Sequence, residues 1–166
     1  MKNQPLPSAT NAESDKVYTP VKWAEAVIRA LPLSGSVLDP ARGQGAFYDL
    51  FPASCQKLWC EIDEGRNFFD FDQHVDWIVT NPPWSTIKEF MGHAMAIADN
   101  VVFLVTTNHA FTKSRVRLAH ELGFGMRGIS HLPTPPQAMA PIRISAVGDL
   151  VAARVQRGDR HYDCRP

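Results

Sequence analysis

Short apolar runs alternate with longer amphipathic segments along most of the chain. In the longer segments apolar residues recur every three or four positions, which predicts helices near residues 20–31, 47–51, 87–98 and 113–122. The short runs predict strands at residues 36–39, 57–62, 76–80, 101–105, 126–132 and 146–155. Such alternation is typical of a doubly wound, mostly parallel α/β sheet, which binds ligands at the carboxyl ends of its strands.

The length of the chain, 166 residues, favours one folded domain, which we place at residues 17–157. Residues 1–16 are polar and aperiodic, so we expect a flexible tail, and we expect a second tail at residues 158–166. The first helix is predicted to have Thr19 as its N-cap and Pro20 at its first helical position. Gly123 is predicted to follow the last residue of the helix that begins near Lys113.

Charge is unevenly distributed although the formal net charge is zero. Residues 1–105 carry 8 Lys and Arg against 13 Asp and Glu, a net −5, and residues 106–166 carry 9 against 4, a net +5. The basic C-terminal third either contacts phosphates or is a solvated surface. The three cysteines have no CxxC or metal-ligand spacing, which argues against a disulfide framework or zinc site and favours a reducing, cytoplasmic environment. No apolar run approaches the length of a membrane span, so no membrane association is expected.

A glycine turn follows the first strand, in the sequence Asp39-Pro40-Ala41-Arg42-Gly43-Gln44-Gly45-Ala46-Phe47. Gly43 and Gly45 allow the backbone to approach a ligand closely, and a helix starting there would present free N–H groups. The pattern is neither GxGxxG nor GxxxxGK[ST], so dinucleotide binding and ATP hydrolysis are not indicated. An ordinary strand-to-helix turn is the alternative.

Acidic and aromatic residues follow the next strand. Glu61 and Asp63 lie where a carboxylate accepts hydrogen bonds from ribose hydroxyls in dinucleotide-type folds, and an acidic surface turn is the alternative. Further on, Phe69-Asp70-Phe71-Asp72 could hold an adenine ring, with a phenyl ring stacking and a carboxylate accepting from the exocyclic amine. Whether Asp70 or Asp72 accepts is left open by the sequence.

The most specific motif is Asn81-Pro82-Pro83-Trp84, directly after an apolar strand. Two prolines fix the backbone, so the Asn81 side-chain carbonyl and the Pro82 backbone carbonyl can point at one place. A planar NH₂ group there donates both hydrogens and gains positive charge as it attacks a methyl group, which the two acceptors stabilise. Trp84 offers a flat face to a base extruded from a duplex.

These motifs resemble those of S-adenosylmethionine-dependent N6-adenine DNA methyltransferases. The order of Tyr18-Thr19-Pro20, cofactor loop and catalytic motif is that of the γ-type enzymes, and residues 68–85 and 98–104 are similar to small phage or prophage members. The resemblance implies a Rossmann-like class I fold and S-adenosylmethionine as cofactor, and it needs no metal. It assigns catalysis to Asn81, Pro82, Pro83 and Trp84, and cofactor binding to Tyr18, Thr19, Pro20, Asp39, Pro40, Gly43, Gly45, Phe47, Glu61, Asp63, Asp70 and Phe71.

The resemblance implies DNA as the partner, with RNA as an alternative. No segment of target-recognition size is evident, so we expect a short or relaxed recognition sequence, or a homodimer or partner subunit that completes recognition. Residues 133–143 are either a substrate lip or a rigid connection. The candidate substrate contacts are Ser85, His109, Lys113, Arg115 and Arg117, of which the last three could instead form a solvated helix face.

Three other functions fit the same motifs. An RNA adenine methyltransferase would have the same site chemistry. A protein glutamine methyltransferase also presents an Asn-Pro-Pro-aromatic motif, because an amide NH₂ fits the same acceptors, but it usually carries an additional N-terminal helical domain. A catalytically silent nucleic-acid-binding subunit would show decayed motifs, whereas Gly43, Gly45 and residues 81–84 are intact.

Overall fold

A computed structural model describes residues 18–106, 112–132 and 147–154. The described helices are α1 (Val21–Ala30), α2 (Ile87–Ile97) and α3 (Lys113–Glu121). The described strands are β1 (Ser36–Asp39), β2 (Gln56–Trp59), β3 (Val75–Thr80), β4 (Ala98–Thr106), β5 (Phe124–Leu132) and β6 (Val147–Arg154). Among the helices of these ranges, none has the length and apolar character needed to cross a membrane.

The strands form one sheet in the order β2-β1-β3-β4-β6-β5. Strands β1 to β4 are parallel to one another, and β6 lies antiparallel between β4 and β5. This arrangement confirms the predicted mostly parallel α/β sheet. In the sheet β1 lies between β2 and β3, so the chain adds β2 on one side of β1 and β3 on the other. The strand order therefore reverses between β1 and β3, at whose carboxyl ends such folds bind ligands.

Alternate residues of each strand face opposite sides of the sheet and enter two separate cores. Leu38, Ile78 and Val101 face one side, where α2 covers them and Ala119 of α3 packs against the cluster. Val37, Val79 and Val102 face the other side, which α1 covers. Helices on both faces explain why the strands read as continuous apolar runs rather than as alternating ones.

Three predicted elements differ in the structure. Helix α1 begins at Val21, because Pro20 has an extended ψ of 132° and its carbonyl accepts the first helical hydrogen bonds, so Pro20 rather than Thr19 is the N-cap. The helix predicted after the glycine turn is wrong: a single 3₁₀ turn, Tyr48–Leu50, buries Phe47 and Phe51 before Pro52. The predicted second strand ends early at Trp59, since Ile62–Glu64 turns back in a 3₁₀ helix closed by Gly65.

The end of α3 agrees with the prediction from the sequence. Gly123 has a φ of 77° and donates its amide to the His120 carbonyl, as expected of a glycine that ends a helix. His109, the 133–143 segment and both predicted tails lie outside the described residues.

Candidate functional site

An open cavity of about 230 Å³ lies at the carboxyl ends of β1 and β3. Three predicted segments meet there: the residues preceding α1, the glycine turn after β1, and Asn81 after β3. Of the predicted site residues, those lining the cavity are Tyr18, Thr19, Gly43, Gly45, Phe47 and Asn81. The other lining residues were not predicted as site residues; they are Val21, Ala41, Arg42, Gln44, Ala46, Asp49 and Leu50.

Backbone hydrogen bonds fix the glycine turn against the end of β2. The Arg42 amide donates to the Cys60 carbonyl at 3.0 Å, and the Gly45 amide donates to the Arg42 carbonyl at 2.8 Å. Gly43 and Gly45 have φ values of 51° and 90°. At Gly45 a Cβ would also lie 3.1 Å from the Asp49 carboxylate, so a larger residue would disturb the cavity wall.

Glu61 holds the turn from the side of β2. Its Oε2 accepts from the Gly43 amide at 2.6 Å, and its Oε1 accepts from the Asp63 amide at 3.2 Å. The side chain is half-buried, whereas Asp63 is exposed. Glu61, predicted to accept hydrogen bonds from ribose hydroxyls, therefore also anchors the glycine turn.

Asp39 is almost completely buried beneath the turn, with 1% of its surface exposed. Its Oδ1 accepts from the Thr80 hydroxyl at 2.8 Å and from the Ala41 amide at 3.4 Å. Within the described part of the chain, its Oδ2 is buried without a hydrogen-bond partner. Burial raises the pKa of Asp39 from 3.8 to about 7, and nearby Glu61 adds to the rise, while the Thr80 hydroxyl and the backbone amides of Ala41 and Tyr48 oppose it.

A cluster of cations and rings borders the turn and was not predicted. The Arg42 guanidinium lies 4.2 Å from the centre of the Trp59 ring, and the Arg66 guanidinium lies 3.8 Å from it. Arg42 also pairs with Glu64. The cluster orients Arg42, one of the residues that line the cavity.

The motif that follows β3 has the rigidity expected of its prolines. Pro82 is buried, Pro83 is extended with a φ of −62° and a ψ of 128°, and a 3₁₀ turn at Trp84–Thr86 leads directly into α2. Trp84 is half-buried, so part of its ring is accessible. Of the four motif residues, only Asn81 lines the cavity.

The predicted adenine segment lies beside α2. The Phe71 carbonyl is 2.9 Å from His93 Nε2, and the Phe71 ring packs against the core. Asp70 is exposed, and one carboxylate oxygen accepts from the Asn67 side chain at 3.3 Å. The accessible ring of this segment is Phe69, 45% exposed, rather than Phe71.

The candidate substrate contacts are dispersed. Ser85 is exposed on the turn before α2 and Lys113 is exposed at the start of α3. Arg117 pairs with Glu121 one turn further along α3, at 2.7 Å, which fits a solvated helix face. Arg115 is half-buried near Glu89 of α2, and the partial burial lowers its pKa. None of these four is among the described residues that line the cavity.

The fold, unlike the sequence, has clear counterparts. No protein-family model and no curated protein sequence matches the chain. A candidate RNA methyltransferase from Pyrococcus horikoshii superposes with a TM-score of 0.60 at 18% identity, over 81% of this chain and 82% of its own. A methyltransferase from Pyrococcus furiosus gives 0.59 at 13% identity, over 89% and 98%.

A third match is the precorrin-6y C5,15-methyltransferase of Geobacter metallireducens, with a TM-score of 0.58 at 11% identity, over 84% of this chain and 91% of the other. At such low identity a likeness shows the fold alone. The chain therefore has the Rossmann-like fold that these methyltransferases share.

Proposed function

We propose that the chain transfers a methyl group from S-adenosylmethionine to the N6 amino group of adenine in DNA. The observation that carries this proposal is that Asn81 lines the same cavity as Gly43 and Gly45. A cofactor held by the turn and a planar amino group held by Asn81 would meet in that one space. The adenine of a duplex would have to be flipped out of the stack to reach it.

The residues of the cavity fit the charged end of such a cofactor. Glycine backbone, the Tyr18 ring and the Asp49 carboxylate line it, and both a carboxylate and an aromatic face attract a cation. Its volume of about 230 Å³ lies just below the range of roughly 300–1,000 Å³ usual for small-molecule sites. We therefore place the methionine end and the reacting nitrogen in the cavity, and the nucleoside end outside it.

For the nucleoside end we propose the surface around Glu61. The Glu61 carboxylate is half-buried at the end of β2, where it would accept from ribose hydroxyls. Ile62 is 67% exposed and Phe69 is 45% exposed, which provides apolar surface for an adenine ring. Asp70, exposed beside Phe69, would accept from the exocyclic amine of the cofactor.

S-adenosylmethionine supplies, when bound, a methyl group on a positively charged sulfur. Asn81 would hold the target nitrogen through its side-chain carbonyl, together with the backbone carbonyl of Pro82. The target nitrogen held there would take the methyl group from sulfur, with the electron pair of the carbon–sulfur bond left on sulfur, and would release a proton to solvent. Both carbonyls accept from the nitrogen more strongly as its positive charge develops, which lowers the barrier.

Labelled methyl transfer to duplex DNA, single-stranded DNA and RNA, with nucleoside digestion, tests the proposal. We expect N6-methyladenine in DNA from the wild type, and a loss of transfer of at least about 100-fold in Asn81→Ala with little change in cofactor affinity. Asn100→Ala is the matched control, because the Asn100 side chain donates to the Asp76 carbonyl and does not line the cavity. Label in RNA alone would exclude DNA as the substrate, and full activity of Asn81→Ala would refute the mechanism.

A further inference from the structure

One carboxylate oxygen joins the two halves of the site. Asp39 Oδ1 accepts from the Ala41 amide, at the start of the glycine turn, and from the Thr80 hydroxyl, at the end of β3. Ala41 lines the cavity, and Thr80 immediately precedes Asn81, which lines it too. One wall residue, Ala41, and the residue preceding the other, Asn81, therefore donate to the same oxygen atom.

The sheet places these groups together. Strands β1 and β3 are parallel neighbours, with Val37 opposite Trp77 and Leu38 opposite Ile78, so their last residues lie within one position of each other. Asp39 and Thr80 are those last residues, and both are buried, at 1% and 0% exposure. Solvent therefore does not compete for their hydrogen bond.

We propose that Asp39 is a positioning residue which, through Thr80, sets the orientation of Asn81 relative to the glycine turn and so couples cofactor binding to alignment of the target nitrogen. This inference rests on the proposed function for its consequence in catalysis. The coupling itself is a property of the folded chain and can be observed without any reaction.

The cost of the arrangement argues for such a role. A buried carboxyl with one oxygen unpaired among the described residues is less stable than an apolar pair of the same shape would be. The neighbouring ionisable groups are Glu61, whose charge opposes ionisation of Asp39, and Cys60, whose own thiol pKa is raised by burial. A purely apolar contact between β1 and β3 would hold the strands together, but it would not fix the direction of a side chain.

The kinetic test compares Thr80→Val, which keeps the shape of the side chain but loses the hydroxyl, with Thr80→Ser, which keeps the hydroxyl. We expect Thr80→Val to lower kcat about tenfold or more, with the cofactor Kd changed by less than about twofold, and Thr80→Ser to restore most of kcat. Losing the hydroxyl also raises the pKa of Asp39, so any acidic limb of the pH–kcat profile that belongs to Asp39 should move to higher pH in Thr80→Val.

The test that needs no activity is the side-chain amide NMR signal of Asn81, assigned with Asn81→Ala in ¹⁵N-asparagine-labelled protein. We expect this signal to follow the titration of Asp39 near pH 7 in the wild type and in Thr80→Ser. In Thr80→Val, where Asp39 titrates at higher pH, we expect no such change at pH 7 or above it, while the Asn100 signal stays constant in all three proteins. An Asn81 signal that responds identically in all three proteins would overturn the coupling. If no substrate is methylated, the proposed function fails while the NMR comparison still decides this inference.

Discussion

The stability of Asp39→Asn relative to the wild type should increase as the pH rises. The change is nearly isosteric: asparagine keeps an oxygen that accepts from Thr80 and Ala41 but cannot ionise. Its NH₂ group would take the place of Oδ2, a buried atom with no hydrogen-bond partner among the described residues. At low pH this unpaired donor costs stability, so the variant is expected to be no better than the wild type there.

The pKa of Asp39 fixes the sign of the effect. Below its value in the unfolded chain, 3.8, the carboxyl is protonated in both states, and the difference in pKa costs nothing. Between 3.8 and about 7 the unfolded chain ionises while the folded protein stays neutral, so the free energy of unfolding falls as pH rises. At about 1.4 kcal/mol per pKa unit the full loss is about 4 kcal/mol, and roughly 2–3 kcal/mol of it falls between pH 5 and pH 8.

Urea unfolding of both proteins at pH 5 and pH 8 measures this difference. The free energy of unfolding of Asp39→Asn minus that of the wild type should rise by roughly 2–3 kcal/mol between the two pH values. Asp76→Asn is the matched control, because hydrogen bonds from the Ser36 amide and hydroxyl lower the pKa of Asp76 below 3.8. That carboxyl is ionised in the folded and the unfolded chain at both pH values, so the difference between Asp76→Asn and the wild type should stay constant. A pH-independent difference for Asp39→Asn would refute the idea that burial of this carboxyl dominates.

Three further predictions concern binding. Trp84→Ala should raise the KM for nucleic acid about tenfold while leaving the cofactor Kd nearly constant, since base–aromatic stacking is worth roughly 1–3 kcal/mol. Separate titrations with nucleic acid and with cofactor measure this, and a raised cofactor Kd with unchanged nucleic-acid binding would show that Trp84 serves the cofactor. Gly45→Ala and Gly123→Ala should each lower stability by about 1–2 kcal/mol because both positions have positive φ, but only Gly45→Ala should weaken cofactor binding in calorimetry; equal affinities would disprove the cavity as the site. Glu61→Gln removes the charge from the acceptor of the Gly43 amide and should raise the cofactor Kd about fivefold, and an unchanged Kd would show that Glu61 does not support the turn.

Much of the fold could be predicted because buried parallel strands have an unambiguous pattern. The runs ending at Asp39, Thr80 and Thr106 are apolar on both faces, since helices cover both sides of the sheet. The helix expected at 47–51 is absent because two buried rings four residues apart fit one 3₁₀ turn as well as an α-helix, and Pro52 leaves no room for more. Local periodicity does not distinguish these alternatives.

The meeting of Tyr18, Gly43 and Asn81 in one cavity was foreseeable, because each lies at or near the carboxyl edge of the predicted sheet. The link between Asp39 and Thr80 was not, since these residues are 41 positions apart and only the neighbouring positions of β1 and β3 bring them together. The greater exposure of Phe69 than of Phe71 was equally hidden, because it depends on how this segment packs beside α2, where the Phe71 carbonyl contacts His93.

The position of β6 has a consequence for the order in which the protein can be assembled. This strand is the last described one along the chain, yet it lies between β4 and β5 and pairs Asn100 with Ala153, so the β4 edge has no partner until residues 147–154 have been synthesised. Before then a nascent chain would present the backbone of Val101–Val105, five apolar residues that are buried in the folded protein, as an open template for other strands. We expect α3 and β5 to join the sheet only as β6 inserts, which makes this half of the molecule the late-folding and aggregation-prone one.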